Sequence, residues 1–412
     1  MIKKIKVYHV CIVILLLLKT SLYAQNQSPS AYTSLGIGRI EKYGLVKNQG
    51  MGGAGLALPT DNFVNVLNPA SLTGVDSLKM LIDMGLNVNL THYESKDGQG
   101  NAVSGGLNNI TMAFRLTPIL GTSFGISQYS QVGYNISSTA YIDGTLIEIP
   151  KTYEGSGGID QVYLANAISI SKNLSLGLKM SYLFGKISKS EIYTSEEIGG
   201  GLRLDYSDYL QQVQFETGIQ YHFQVEKNTF SLGAVYAHHT KFNTLREVLT
   251  ASSGGAGIAE ELEAEDYALP TDFAVGVAWM NISGFKSVFD YRYQNWAGIS
   301  YIHPVAAYQD LHRFSGGFEY RNSNTRKAAP FLWQVGAYHE DSYLKVQGNA
   351  LIDKGITLGV GIPVRNYRSY LNLSFNYGTR GTRNNALITE NYYGFSLSMS
   401  MVENWFKKRQ FD

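Results

Sequence analysis

The sequence predicts an all-β fold, a transmembrane antiparallel β-barrel of about 14 strands. Three observations lead there. The 412 residues include 29 Tyr and 43 Gly with only 16% charged residues, a balance that suits strands crossing a bilayer better than a soluble domain. Beyond the N-terminus no segment holds the ~18 uninterrupted apolar residues of a membrane helix. Apolar residues also alternate with small or polar ones over stretches longer than the ~5–6 residues usual for soluble strands.

Residues 1–24 read as a secretory signal peptide. Lys3, Lys4 and Lys6 precede an apolar run from Val10 to Leu18, and Ala24 offers a small residue before a cut at Gln25. The run is too short to span a membrane. Cleavage removes Cys11, the sole cysteine, so neither disulfides nor thiolate chemistry is expected in the mature chain. It also removes four of 34 basic residues, leaving 30 against 33 acidic ones, a net charge of −3. That balance offers nucleic acid no electrostatic footing.

Next comes a glycine-dense stretch, Gln49–Leu72. Gly50, Gly52 and Gly55 spell G-x-G-x-x-G, with Gly53 among them, and Asn68-Pro69-Ala70 follows. A dinucleotide fingerprint requires a buried strand before it and a helix after it. Here no apolar run precedes, and Pro59 arrives four residues after Gly55, so the nucleotide reading fails.

Strands follow. From Leu78 to Leu90 every even position is apolar, and Leu174, Leu176, Leu178, Met180, Tyr182 and Phe184 share one face opposite Ser175, Gly177, Lys179 and Ser181. Val213, Phe215, Ile219 and Tyr221 repeat the pattern, as do Leu371 to Tyr377 and Phe395 to Met401. A soluble sandwich would charge its second face richly; here that face is Gly, Ser and Asn. The pattern gives strands over 77–91, 108–116, 122–137, 158–171, 173–188, 207–224, 229–245, 270–281, 285–296, 312–322, 331–340, 354–363, 369–379 and 391–403. Short turns follow even strands (Lys172-Asn173, Glu226-Lys227-Asn228, Ile282-Ser283-Gly284) and longer polar loops follow odd ones (92–107, 138–157, 189–206, 246–269, 297–311). Short turns are expected in the periplasm, so both termini should lie there. The acidic run Glu260, Glu261, Glu263, Glu265, Asp266 reads as a solvated loop and His238-His239 as a loop-edge pair, since no further ligand stands at metal-binding spacing.

The third strand breaks the pattern. Thr122, Phe124 and Ile126 start a lipid face that continues through Gln128 and Ser130 before Val132, Tyr134 and Ile136. Gly121, Gly125 and Gly133 would permit a kink. Either a plain bulge shifts the register and gives Tyr129 the lipid position, or the wall opens there.

With these features the chain resembles the FadL/TodX family of outer-membrane transporters of hydrophobic compounds. The resemblance rests on MGGAG and Asn68-Pro69-Ala70, on Leu269–Trp279 with Phe289–Trp296, and on Gly355–Pro363, in that order. It implies a Gram-negative outer-membrane barrel with an N-terminal luminal hatch (plug), residues 25–76, ahead of barrel residues 77–412. It also implies a kinked third strand that opens sideways. The chain departs from most such barrels in running past its last strand, through Trp405–Asp412, with Phe411 next to last.

The function expected is passive transport of hydrophobic molecules such as long-chain fatty acids. Membrane lipids and a hydrophobic small molecule are the partners, without cofactor or metal. Phe63, Val64, Val66 and Leu67 are candidates to line an apolar pocket between hatch and wall, or to pack the hatch. Lumen-facing Arg115, Lys179 and Arg292 would hold a ligand carboxylate, or would pair with Asp83, Glu216, Asp290 or Glu319. The alternative is a structural or secretion-accessory barrel that binds a protein partner and transports nothing. An enzyme would need a clustered Ser, His and orienting polar group, and no such set stands out.

Overall fold

A computed structural model describes residues 30–404 except 42–43, 97, 142–147, 196–199, 253–256, 263–266, 302, 322–329, 365–368 and 383–386. Residues 1–24, expected to be a signal peptide, with residues 25–29, Trp405–Asp412 and the acidic Glu263, Glu265 and Asp266, lie outside the described residues.

Fourteen antiparallel strands close a barrel. They are β1 (Lys79–Glu94), β2 (Gln99–Thr117), β3 (Leu120–Tyr141), β4 (Glu148–Ser169), β5 (Leu174–Ser195), β6 (Gly200–Val225) and β7 (Asn228–Ala237). There follow β8 (Asp272–Asn281), β9 (Phe285–Gln294), β10 (Leu311–Arg321), β11 (Leu332–Val346), β12 (Asn349–Val364), β13 (Ser369–Gly381) and β14 (Thr389–Asn404). Each strand pairs with the next, and β1 closes on β14 from Lys79↔Asn404 to Glu94↔Thr389.

The solvent pattern is inside out, as a bilayer demands. On β5, exposed Leu176, Leu178, Met180 and Tyr182 alternate with buried Ser175, Lys179 and Ser181. Period-2 alternation thus sends apolar side chains to lipid and polar ones to the interior. Among the described residues no helix is long and apolar enough to cross a membrane.

All fourteen expected strands are present, but several are taller than expected. The stretches 92–107, 138–157 and 189–206 are largely strand, because β2 to β6 run 19 to 26 residues and extend beyond the apolar band. Alternation fades above the lipid, where both faces meet water, so a hydropathy pattern stops short of the backbone ladder. The expected loop 246–269 likewise contains a hairpin, Asn243–Ser252 with Ile258–Leu262, that adds to the outer half of β6. Residues Ala306–Tyr308 pair with β11. The turns at 170–173, 226–227 and 282–284 are short as expected.

Residues 30–75 are enclosed by the wall. They contain a 3-10 turn (Ala31–Ser34), a two-residue strand (Arg39–Ile40) paired with β3, one helical turn (Val46–Gln49) and a second 3-10 segment (Pro69–Gly74). Asn68 caps that last segment by accepting from the Ala70 N–H at 3.0 Å, with Pro69 at its first position. One apolar cluster fills the interior at the end away from the short turns, around Trp296, Tyr343, Leu183, Ile187 and Val132. A second packs Val64, Leu72 and Leu45 against Leu81 and Tyr163.

Candidate functional site

The glycine-dense stretch is held by the wall through its backbone. Asp290 on β9 accepts from the Gly55 and Leu56 N–H groups at 2.7 and 2.9 Å. The Gly52 N–H donates to Thr357 on β12 at 2.9 Å, and Arg313 on β10 donates to the Gly52 carbonyl at 3.0 Å. Gln220 on β6 donates to the Ala57 carbonyl, and Asn68 donates to that of Ile219. Gly52 has φ +71°, and a Cβ there would strike the Ala337 carbonyl, so this turn admits only glycine without strain. Gly50 packs on Gly359, and Gly53 borders a cavity of about 20 Å³ with Leu56, Leu67 and Asp290. Across the contact, wall Gly177 and Gly218 leave room for Pro69, Ala70 and Asn68. The motif is therefore a packing surface.

The four apolar candidates divide. Phe63 is buried beneath the Lys47 ammonium, which lies 3.6 Å from its ring centroid. Val64 is fully buried in the second apolar cluster. Val66 and Leu67, by contrast, line one cavity with Gln128, Gln161, Lys179 and Arg292, just behind the irregularity in β3. That cavity is about 40 Å³, enough for water and far below the ~300–1,000 Å³ of ligand pockets. Around it, side chains of the N-terminal segment and wall glycines interlock.

Luminal charges are paired differently from expectation. Lys179 meets Glu216 at 3.3 Å, as anticipated. Arg292 pairs with Asp272 at 3.1 Å, a residue the sequence did not single out. Arg115 donates to the Thr73 carbonyl at 2.8 Å. Glu319 lies between Lys47 and Lys286, at 3.4 and 3.3 Å, while Asp83 accepts from Asn109 at 2.9 Å and from Ser400. Most of these groups tie the N-terminal segment to the wall or one strand to the next.

The third strand carries both features weighed from its sequence. Register shifts between Gln128 and Ser130, so Tyr129 is a bulge residue. The expected lipid position for Tyr129 is overturned. It is 3% exposed and packs inward with Ile37, Ile40 and Val132, while Ser130, in the expected lipid phase, is fully buried. The backbone bends over the N-terminal segment, whose Thr33 and Ser30 bond to both the N–H and carbonyl of Gly133. Gly121 lies against the Leu72 carbonyl and Gly125 against that of Ile110, neither with room for a Cβ.

The bend ends a ladder. β2 and β3 pair from Thr117↔Leu120 to Asn109↔Ser127, and no further. Above that point β2 pairs only with β1, and β3 pairs with β4 and with Arg39–Ile40. Between the two separated edges lies a cleft of about 1300 Å³. Asn101 to Val103 and Gly133 to Ile136 border it, with polar residues from the tall parts of β4 to β6.

Similar solved structures share this architecture. They include the crystal structures of the P. putida toluene transporter TodX (14% identity, 90% of this chain and 99% of that one, TM-score 0.60) and of the Ralstonia pickettii toluene transporter TbuX (14%, 89% and 98%, 0.59). A Pseudomonas aeruginosa FadL homologue aligns at 10% identity over 88% and 98%, with a TM-score of 0.56. At these identities the likeness establishes the fold, in agreement with the FadL/TodX resemblance. No curated protein matches the chain. The BamG family model matches residues 1–412, end to end, and the chain belongs to the BamG family.

Proposed function

We propose that this barrel is an outer-membrane conduit for hydrophobic molecules, with both termini periplasmic and residues 25–76 serving as its hatch. Molecules such as long-chain fatty acids would leave sideways between β2 and β3. The observation that carries this reading is the end of the β2–β3 ladder at Asn109↔Ser127, directly beside the cavity lined by Val66, Leu67, Gln128 and Arg292. A sideways path spares an acyl chain about 0.8 kcal/mol for each CH₂ it would otherwise expose to water. At about 40 Å³ the cavity admits no such chain, so passage requires part of the hatch to shift. The similarity to the toluene transporters TodX and TbuX supports the same class of cargo.

A second reading, a secretion-accessory barrel that binds a protein partner, is favoured by the close packing of the N-terminal segment and by the size and carboxylate-rich border of the outer cleft. Uptake of labelled fatty acid and of labelled toluene, with the gene present or deleted, separates the two. The conduit reading expects uptake to fall on deletion and to stay low with Gln128→Trp, which fills the cavity behind the bulge. Equal uptake in all strains removes it and leaves the accessory reading.

A further inference from the structure

We propose that the outer cleft takes an extended, lysine- or arginine-bearing segment of another polypeptide, which adds as a strand to the free edge of β2 at Gly100–Leu107. This holds whether or not the lumen conducts.

Three observations meet at this cleft. The first is backbone. Among the described residues, 99–107 of β2 pair with β1 alone, Asn108 is skipped at a register shift, and β3 beyond Gly133 pairs only with β4. β2 and β3 do pair between Asn109↔Ser127 and Thr117↔Leu120, so among the described residues this is a gap over part of the height of the hydrogen-bonded wall. Unpaired edges recruit strands, and main-chain bonds supply the affinity in strand addition. Against lipid such an edge would be prohibitively costly. Here Gly100–Val103 border a cleft that carries charged and polar side chains, where water satisfies the backbone until a partner backbone replaces the water. Eight residues at ~3.4 Å each give an edge of roughly 27 Å.

The second observation is space. The cleft's volume of about 1300 Å³ exceeds the ~300–1,000 Å³ of small-molecule pockets. A Cβ on Gly106 would meet nothing within 4 Å, so the face of the strand is open there.

The third is charge. Five carboxylates border the cleft, among them Glu154, Glu247 and Glu261, against two cations, Lys186 and Arg203. Arg203 is already held by Asp205 at 2.8 Å. Complementarity across an interface selects the partner and speeds encounter, and here it selects a basic one. Apolar side chains share the lining, Val103, Ile136, Val248, Leu249 and Ile388 among them, and they suit the apolar positions of an alternating strand.

The test uses the full mature chain in phosphatidylcholine nanodiscs, with hydrogen–deuterium exchange read by mass spectrometry. The probes are a ten-residue peptide alternating Lys with Val and Thr, its Glu-for-Lys counterpart, a Lys peptide broken by two prolines, and decanoate. The Lys peptide is expected to slow exchange over 100–107 by about tenfold, the equivalent of ~1.4 kcal/mol. The other three probes should leave it unchanged, and Glu154→Lys with Glu247→Lys should abolish the protection. No protection by the Lys peptide overturns the proposal. Equal protection by the Glu or proline-broken peptide, by decanoate, or at 258–262 instead of 100–107 overturns it as well.

Discussion

Asp290 gives the most direct handle on how the N-terminal segment is seated. Its Oδ2 accepts two backbone N–H groups, Gly55 at 2.7 Å and Leu56 at 2.9 Å, in a fully enclosed turn. Asp290→Ala leaves both donors buried without a partner, at about 1–3 kcal/mol each. The seated arrangement should therefore lose roughly 2–6 kcal/mol. Taking the lower end, the unseated population rises about 30-fold. Asp290→Asn retains an oxygen for the same two donors and should change that population by less than about threefold. The assay is maleimide labelling of Ala57→Cys, a position with no solvent exposure. With Cys11 in the expected signal peptide, this is the single thiol of the mature chain. Labelling should be at least ~30-fold faster with Asp290→Ala than without it, while the unheated protein still migrates as a folded barrel. An unchanged rate in that folded barrel would refute the argument that the wall carboxylate holds this turn.

Further outcomes follow from packing and from the bilayer. Gly336→Ala places a Cβ against the Met51–Gly52 backbone and should cost about 1–3 kcal/mol by overpacking, read as a lower unfolding midpoint in detergent. Trp296 is fully buried, stacked on Tyr343 with centroids 4.4 Å apart, and donates to Gln294. Trp296→Ala should cost about 3–5 kcal/mol in equilibrium unfolding. Phe215, 54% exposed, sits in the apolar band of β6, so Phe215→Arg should destabilise folding into vesicles by about 2–4 kcal/mol. Ser188→Arg, on the same face of β5 but among the polar residues of the outer cleft, should cost about 1 kcal/mol or less. Similar penalties at both positions would mean that the band is misplaced.

How much of the candidate site could be read beforehand depends on the range of each signal. The irregularity at Gln128 and Ser130 was legible because a break in period-2 alternation lies within one strand. The direction of the break was not. Tyr129 looked free to face lipid, but the bend that buries it comes from contacts with Ile37 and Ile40, about 90 positions away in the chain. Val66 and Leu67 were recognisable as N-terminal apolar residues. Their meeting with Gln128 and Arg292 in one cavity required three strands and the enclosed segment to be assembled first. Asp272 lies within the Leu269–Trp279 stretch that carries the family resemblance, but nothing local marks it as the partner of Arg292, which reaches it from the neighbouring strand. The free edge of β2 was hidden by the reading of 92–107 as loop.

The amino-acid sequence alone carries the class of fold, the number of wall strands and most of the faces turned to lipid and to lumen. It does so because alternation and turn residues act between near neighbours, and the bilayer enforces them at every strand. Only the tertiary structure decided what those faces touch. Gly52 packs on Ala337, Asp290 holds Gly55, and β2 loses β3 above Asn109. Such contacts join residues far apart in the chain. They depend on barrel register and on the path of the enclosed segment, quantities that a two-residue period leaves free.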